Sequence, residues 1–154
     1  MIRIIKNYNF EVLPFEISSD IVNFVLEEGE WGYIDYDGTS NQLIFACFAD
    51  GAKPTPDQVP LTFPIIRGSA YFGKKTPGEN QPAAPIDRVA VLERKRGLII
   101  ETDKFTGTIV KGDKLTIVGV ANKGGLLAKA GTADGVVGIC LGVTPVNTII
   151  VELT

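Results

Sequence analysis

Four stretches of the chain carry residue types that could do chemistry. Asp35-Tyr36-Asp37-Gly38 opens like a calcium loop, in which alternating carboxylates present oxygens to a hard cation. Such a twelve-residue loop ends on a bidentate Glu, and counted from Asp35 that position holds Ala46, so a hairpin turn is the better reading. Residues 119–125 (GVANKGG) have the glycine content of a phosphate loop but lack its Gly-Lys-Ser/Thr ending, and they too read as a turn. Cys47 and Cys140 each lie in an apolar run, IFACFA and VVGICLGV, as small core residues do, rather than as a disulfide or redox pair. Carboxylate pairs for glycoside hydrolysis need not be neighbours in sequence, and nothing singles out a pair here. The chain has no histidine, which removes Ser-His-Asp and Cys-His catalysis and the commonest zinc-ligand sets. The expectation is a protein that is not an enzyme, with no cofactor and no metal site.

The remaining candidates are binding residues. Glu93-Arg94-Lys95-Arg96 is the densest charge run, either a solvated strand end or a contact for an acidic partner through Arg94, Lys95 and Arg96. Trp31, Tyr33, Tyr36, Phe45 and Phe48 are the aromatics that could form an exposed platform, with the core as their alternative home. A net charge of -3 argues against nucleic acid, which demands clustered Lys and Arg. The charge is uneven: residues 1–60 hold ten Asp and Glu against three Lys and Arg, while residues 61–154 hold eight against twelve. That imbalance could orient copies or partners, or only mark differently solvated faces. No apolar run approaches the roughly 20 residues of a membrane span. The beginning MIRIIKNYNF lacks the long apolar region of a secretion signal, which points to synthesis in a cytoplasm.

The elements that must position these residues are mostly strands. At 154 residues with 45% apolar content, one β-rich domain spanning 1–154 is expected. Short strands fit IRIIKNYNF, EWGYIDY, QLIFACFA, RVAVLER, GLIIETD, TGTIVKG, DKLTIVGVA, GLLAKAG, VVGICLGV and NTIIVELT. Asp37-Gly38, Gly124-Gly125 and Asp134-Gly135 are the clearest turn pairs. Residues 1–26 read as an N-terminal strand or arm followed by a candidate helix over 19–28, capped by Ser18, Ser19 or Asp20 and ended by Gly29, with a strand as the alternative. Seven of the nine prolines fall in 50–85, which predicts a Pro-rich loop insertion around a short strand near 65–72, packed on the β core or on a neighbouring copy.

Two stretches repeat one another. In 27–48 and 109–131, Gly29 aligns with Gly112, Glu30 with Asp113, Ile34 with Ile117 and Leu43 with Leu126 at one constant offset. Each copy reads as a hairpin with one buried face, and a lone hairpin is marginal in water, so two must pack to close a sandwich or barrel. Two unrelated hairpins that match by chance is the alternative. In this alignment Trp31 and Tyr33 match Lys114 and Thr116, which suggests that both aromatics face outward.

The residues EGEWGYIDYDG, TDKFTGTIVKGDKLTI, GGLLAKAGTADGVVGICLGV and NTIIVEL together resemble the small head decoration, or cement, proteins of tailed bacteriophages. The similarity covers 27–48 and 98–154 and rests on spacing and turn types. It implies a β-tulip-like fold, assembly as a homotrimer on the outer capsid surface of the virion, and a non-enzymatic role clamping subunits of the major capsid protein. Ile2, Arg3, Ile4 and Ile5 would then form an arm that adds a strand to a neighbour, or one that closes its own sheet, with Trp31 and Arg94, Lys95 and Arg96 as further contacts. The other reading is a non-enzymatic binding module of a phage tail or fibre that recognises carbohydrate. Neither reading invokes nucleic acid or membrane.

Overall fold

Runs of Ile, Val, Phe and Thr cut by Gly, Asn and Asp favour short strands with tight reversals, and strands hold 51% of the described residues. The computed structural model describes residues 1–6, 11–18, 25–68 and 88–154. In chain order the strands are β1 (Ile2–Lys6), β2 (Val12–Ile17), β3 (Trp31–Asp37), β4 (Gln42–Ala46), β5 (Thr62–Arg67), β6 (Arg88–Leu92), β7 (Ile99–Thr102), β8 (Lys114–Val120), β9 (Lys123–Lys129), β10 (Gly138–Val143) and β11 (Ile149–Leu153). The one helical piece among these residues is a 3-10 turn, Pro56–Leu61, with Thr55 and Gln58 as its reciprocal cap.

The strands form two units with the same cyclic order. In the first, β2, β4, β3, β5 and β6 close into a five-stranded barrel, antiparallel everywhere except between β2 and β4. In the second, β9, β8, β10, β11 and β7 follow in the same order and directions. The parallel contact recurs as well: Phe105, just past β7, bridges Leu127 of β9, with hydrogen bonds from Thr106 N to Leu127 O (2.8 Å) and from Leu127 N to Lys104 O (3.1 Å). Strand β1 lies on the other edge of β7 and has no counterpart in the first unit among the described residues. The units differ mainly in their connections. Residues 130–137 and 144–148 link strands in the second unit where the first uses 47–61 and 68–87.

Each unit has an apolar interior. Ile17, Ile34, Phe45, Ile65, Val89 and Val91 fill the first, and Gly32 leaves the room that the Phe45 ring occupies. The larger cluster is built on Leu98, Ile100, Leu115, Ile117, Leu127 and Val151 of the second unit and extends to Trp31, Phe48 and Leu92 of the first. It also receives Ala52, Val59 and Ile66, so the proline-bearing segment packs onto the core as far as it is described. The units are therefore joined by shared apolar packing as well as by the Trp31–Gly125 strand pairing.

Several expectations need correction. Gly124-Gly125 is not a turn: both glycines lie inside β9, where a Cβ would run into the Glu30 side chain and Ile117, and the reversal falls at Ala121-Asn122 with Asn122 at φ 59°. Residues 106–112 form no strand. Strand β2 was not expected, because Pro14 interrupts its pattern. Ser18 N, on the same alternation, points to Phe45 O of β4, so the Pro14 nitrogen faces β4 short of Glu16, where the β2–β4 pairing starts, and no ladder bond is lost. The strand foreseen near 65–72 is β5, and residues 69–87 lie outside the described set. The helix foreseen over 19–28 falls partly outside it, and residues 25–28 are not helical.

Candidate interaction surfaces

The repeated Gly-acid pair builds the same turn twice. Glu30 N bonds to Glu27 O (3.2 Å) and Asp113 N to Val110 O (3.1 Å), with Gly29 at φ 86° and Gly112 at φ 92°, the positive φ that a type II turn requires. The acid then reaches back: Glu30 Oε2 accepts from Glu27 N (3.0 Å) and Asp113 Oδ2 from Val110 N (2.9 Å). The Gly-acid spacing is thus a local device that starts each hairpin in a fixed direction.

The two turns meet different surroundings. The first is docked on the second unit, where Glu30 Oε2 also accepts from Gly124 N (3.0 Å) and Lys104 pairs with Glu27. Met1 donates to Glu28 O, and a Cβ on Gly29 would lie 2.7 Å from Met1 O. Burial pushes the Glu30 carboxyl above the usual carboxylate range, while the Lys104 hydrogen bond and charge hold Glu27 below it. Glu30 Oε1 makes no hydrogen bond, and Lys123 Nζ stands 3.8 Å away. The second turn is open: Val110 is 53% exposed, Lys111 is exposed, and nothing lies within 4 Å of a Cβ on Gly112. Its Asp113 pairs with Lys129 (2.9 Å), which lowers the carboxyl pKa.

Hairpin registers relate the remaining positions. Ile34 pairs with Phe45, and its counterpart Ile117 pairs with Leu127, so Phe45 corresponds to Leu127 and Leu43 to Gly125. The sequence alignment of Leu43 with Leu126 is off by one residue because the β3–β4 turn, residues 38–41, is two residues longer than Ala121-Asn122 while a bulge between Val118 and Val120 restores one. Leu43 pairs with Tyr36 across the ladder, and both are 57% exposed, while exposed Asp35 takes the opposite face with Ile44.

Trp31 is not a surface contact. Its side chain does face away from the interior of the first barrel, but the second unit covers it and leaves it 0% exposed in the shared core. Tyr33 is half-buried against Phe48, with ring centroids 4.9 Å apart, and Phe45 and Phe48 are buried, so Tyr36 alone of the five aromatics is exposed. The N-terminal residues close the chain's own sheet: Ile2 and Ile4 pack on the core, Arg3 pairs with Glu101, and Ile5 is 45% exposed. Arg94, Lys95 and Arg96 sit on the connection from β6 to β7, far in the chain from β1. Lys95 and Arg96 are exposed, and Arg94 is half-buried, with Nε and Nη1 making no hydrogen bond. Sequence reasoning missed Val110 and Leu43 as surface residues; Leu43 looks like a core aliphatic until its ladder partner is known, and Val110 until its stretch is seen to form no strand.

A cavity of about 250 Å³ lies at the seam between the units, lined by Ser18, Tyr33, Cys47, Asp50, Asn122 and Lys123 among others. Cys47 at its wall is no nucleophile, since burial and then the Glu30 charge push its thiol up to about 12. Both cysteines are free. Among the described residues no group of three or more Cys, Asp and Glu gathers as a metal site would require, and no helix is long and apolar enough to cross a membrane. No family model, curated protein or solved structure matches the chain.

Proposed function

We propose that this chain is a capsid decoration protein: a non-enzymatic virion component, made in the host cytoplasm, that binds the outer surface of a phage head as a homotrimer and clamps neighbouring major capsid subunits. The observation that carries this reading is the organisation of the stretches that resemble such proteins. Residues 27–48 and 98–154 supply both hairpins and the whole second unit, and of the exposed apolar residues Tyr36 and Leu43 lie near strand ends, Val110 in a turn and Ile5 on the outer strand β1, where contacts between subunits can form. A barrel pair joined through a shared core is also stiff, which suits a clamp.

The test is co-sedimentation of the purified protein with empty heads. Protein in the pellet, with heads that survive heating better, is the expected result; protein that stays in the supernatant at all concentrations rejects the reading. The seam cavity, with Tyr33, Asp50, Asn122 and Lys123, favours as a second reading a binding module of a phage tail or fibre that holds a small sugar, and a glycan screen tests it.

A further inference from the structure

The cavity at the seam is built from both units. Tyr33 and Cys47 come from the first, on β3 and just past β4, and Asn122 and Lys123 from the β8–β9 reversal of the second, with Asp50 on the segment that follows Cys47. Its shape is fixed by backbone. Gly119 N donates to Ala52 O (2.8 Å) and Gly51 N to Gly119 O (2.9 Å), and a Cβ on Gly119 would lie 1.9 Å from Ala49 O, so the units are clamped together beside the cavity. A volume of about 250 Å³ equals roughly eight liquid waters, room for one small ring and not for a chain. Next to this wall an acceptor lacks its donor. The Glu30 side chain is 1% exposed, its Oε2 takes both backbone donors, and its Oε1 makes no hydrogen bond. Lys123 Nζ, 3.8 Å from Oε1, is just beyond hydrogen-bond reach, and Cys47 on the same cavity wall is close enough to feel the Glu30 charge. A buried carboxylate oxygen without a donor is costly, and the group placed to supply one belongs to the cavity.

We infer that the seam cavity holds a single neutral sugar ring, and that Lys123, spanning from the ring to Glu30, ties its occupancy to the joint between the units. The charges select the class. Glu30 and Asp50 oppose a net anion and Lys123 opposes a net cation, whereas a neutral ring of hydroxyls offers acceptors to Lys123 and Asn122 and donors to Asp50. Tyr33, its ring centroid 4.9 Å from that of Phe48, is the aromatic surface for the apolar face of the sugar. A sugar oxygen accepts one Lys123 proton and leaves the other two for Glu30, which holds the ammonium at Oε1 and favours the ionised carboxyl. Binding therefore releases a proton wherever free Glu30 is protonated, so affinity rises with pH through the Glu30 titration and is flat above it. The other groups that face Glu30 are Glu27 of its own turn and Lys104 past β7, already paired with each other, and Cys47, whose thiol stays protonated. The inference rests on the second reading above, a chain that binds sugar, and needs no head.

The experiment titrates the purified full-length chain with glucose, galactose, mannose and N-acetylglucosamine, followed by calorimetry and by fluorescence of Trp31, which follows Glu30 in the chain. At least one of the four should bind and raise Tm, with its glucuronate or glucosamine counterpart about tenfold weaker, the cost of one badly placed charge. Lys123→Met should abolish binding. Asp50 also lines the wall, so the Glu30 contribution is read as the difference between the pH profiles of wild type and Glu30→Gln, and the rise in affinity with pH should shrink in the variant. Tyr36→Ala, an exposed residue outside the cavity, should bind as wild type does. Failure of all four sugars to bind overturns the inference together with the sugar reading. Binding that Lys123→Met leaves intact, or that has the same pH profile in wild type and Glu30→Gln, keeps the sugar reading and overturns this inference.

Discussion

Replacing Glu30 tests the joint between the units most directly. Its carboxylate is the acceptor for two backbone donors, Gly124 N at 3.0 Å in a buried site and Glu27 N at 3.0 Å in a partly buried one. Glu30→Ala strands both. An unsatisfied buried donor costs about 1–3 kcal/mol, the partly buried one less, and the Lys123 contact adds little because that ammonium is 38% exposed and 3.8 Å away. The sum is about 3 kcal/mol, or roughly 6–12 °C in Tm for a chain of this size. Glu30→Gln keeps an acceptor oxygen and removes a desolvated charge, so it should lie within about 1 kcal/mol of wild type near neutral pH. The pH dependence separates the two effects. Because the folded carboxyl binds its proton more tightly than the unfolded one, its contribution is fullest below the ordinary value of 4.5 and is lost as pH rises through the raised folded value. The Gln variant should therefore gain on wild type as pH rises from below 4.5 through the raised folded value. Urea unfolding followed by fluorescence of Trp31, the sole tryptophan and the next residue in the chain, reads all three proteins. An Ala variant as stable as wild type would refute the acceptor role, and a Gln variant as weak as Ala would show that charge, not hydrogen bonding, holds the joint.

Gly29→Ala and Gly112→Ala place a side chain at equivalent positive-φ positions, each at about 1–2 kcal/mol of backbone strain. Gly29→Ala should cost markedly more in denaturant titration, since its Cβ also meets Met1 O at 2.7 Å and Thr102 Oγ1 at 2.9 Å while Gly112 has open space. Trp31→Ala should destabilise the fold by about 3–5 kcal/mol in urea unfolding followed by circular dichroism, as expected for a fully buried aromatic; a loss below about 1 kcal/mol would contradict its place in the shared core. Exchanging residues 68–87 for the sequence Thr-Pro-Val-Asn-Thr that serves as 144–148 should leave the first barrel folded and, through the shorter loop, up to about 1 kcal/mol more stable by thermal unfolding; a chain that fails to fold would mean the longer connection is structural.

Much of this architecture could be read from residue order because its rules are local. The turn pairs Gly29-Glu30 and Gly112-Asp113 and the alternation of Ile34 and Ile117 depend on neighbours within a few residues, and both hairpins formed where those signals lie. What failed depended on partners distant in the chain. Pro14 looks like a strand breaker until the β2–β4 pairing is known to begin only at Glu16. Gly124-Gly125 has the composition of a turn, yet its glycines answer to Glu30, 94 residues away, and to Ile117. The outward direction of Trp31 was legible, but the second unit that covers it was not, because periodicity reports which face a side chain takes and says nothing of what is packed there.

The same distinction explains how two units can share a cyclic order with so few matching residues. Turn geometry and interior volume constrain Gly29 and Gly112, or Phe45 and Leu127, in both units, so these positions keep their character. Positions on the outer faces are constrained only by what touches them. Trp31 and Lys114 hold equivalent places, and one became a buried aromatic because the other unit sits on it, while the other stayed a charged side chain at the surface. Differences in exposure between equivalent positions therefore map the internal joint.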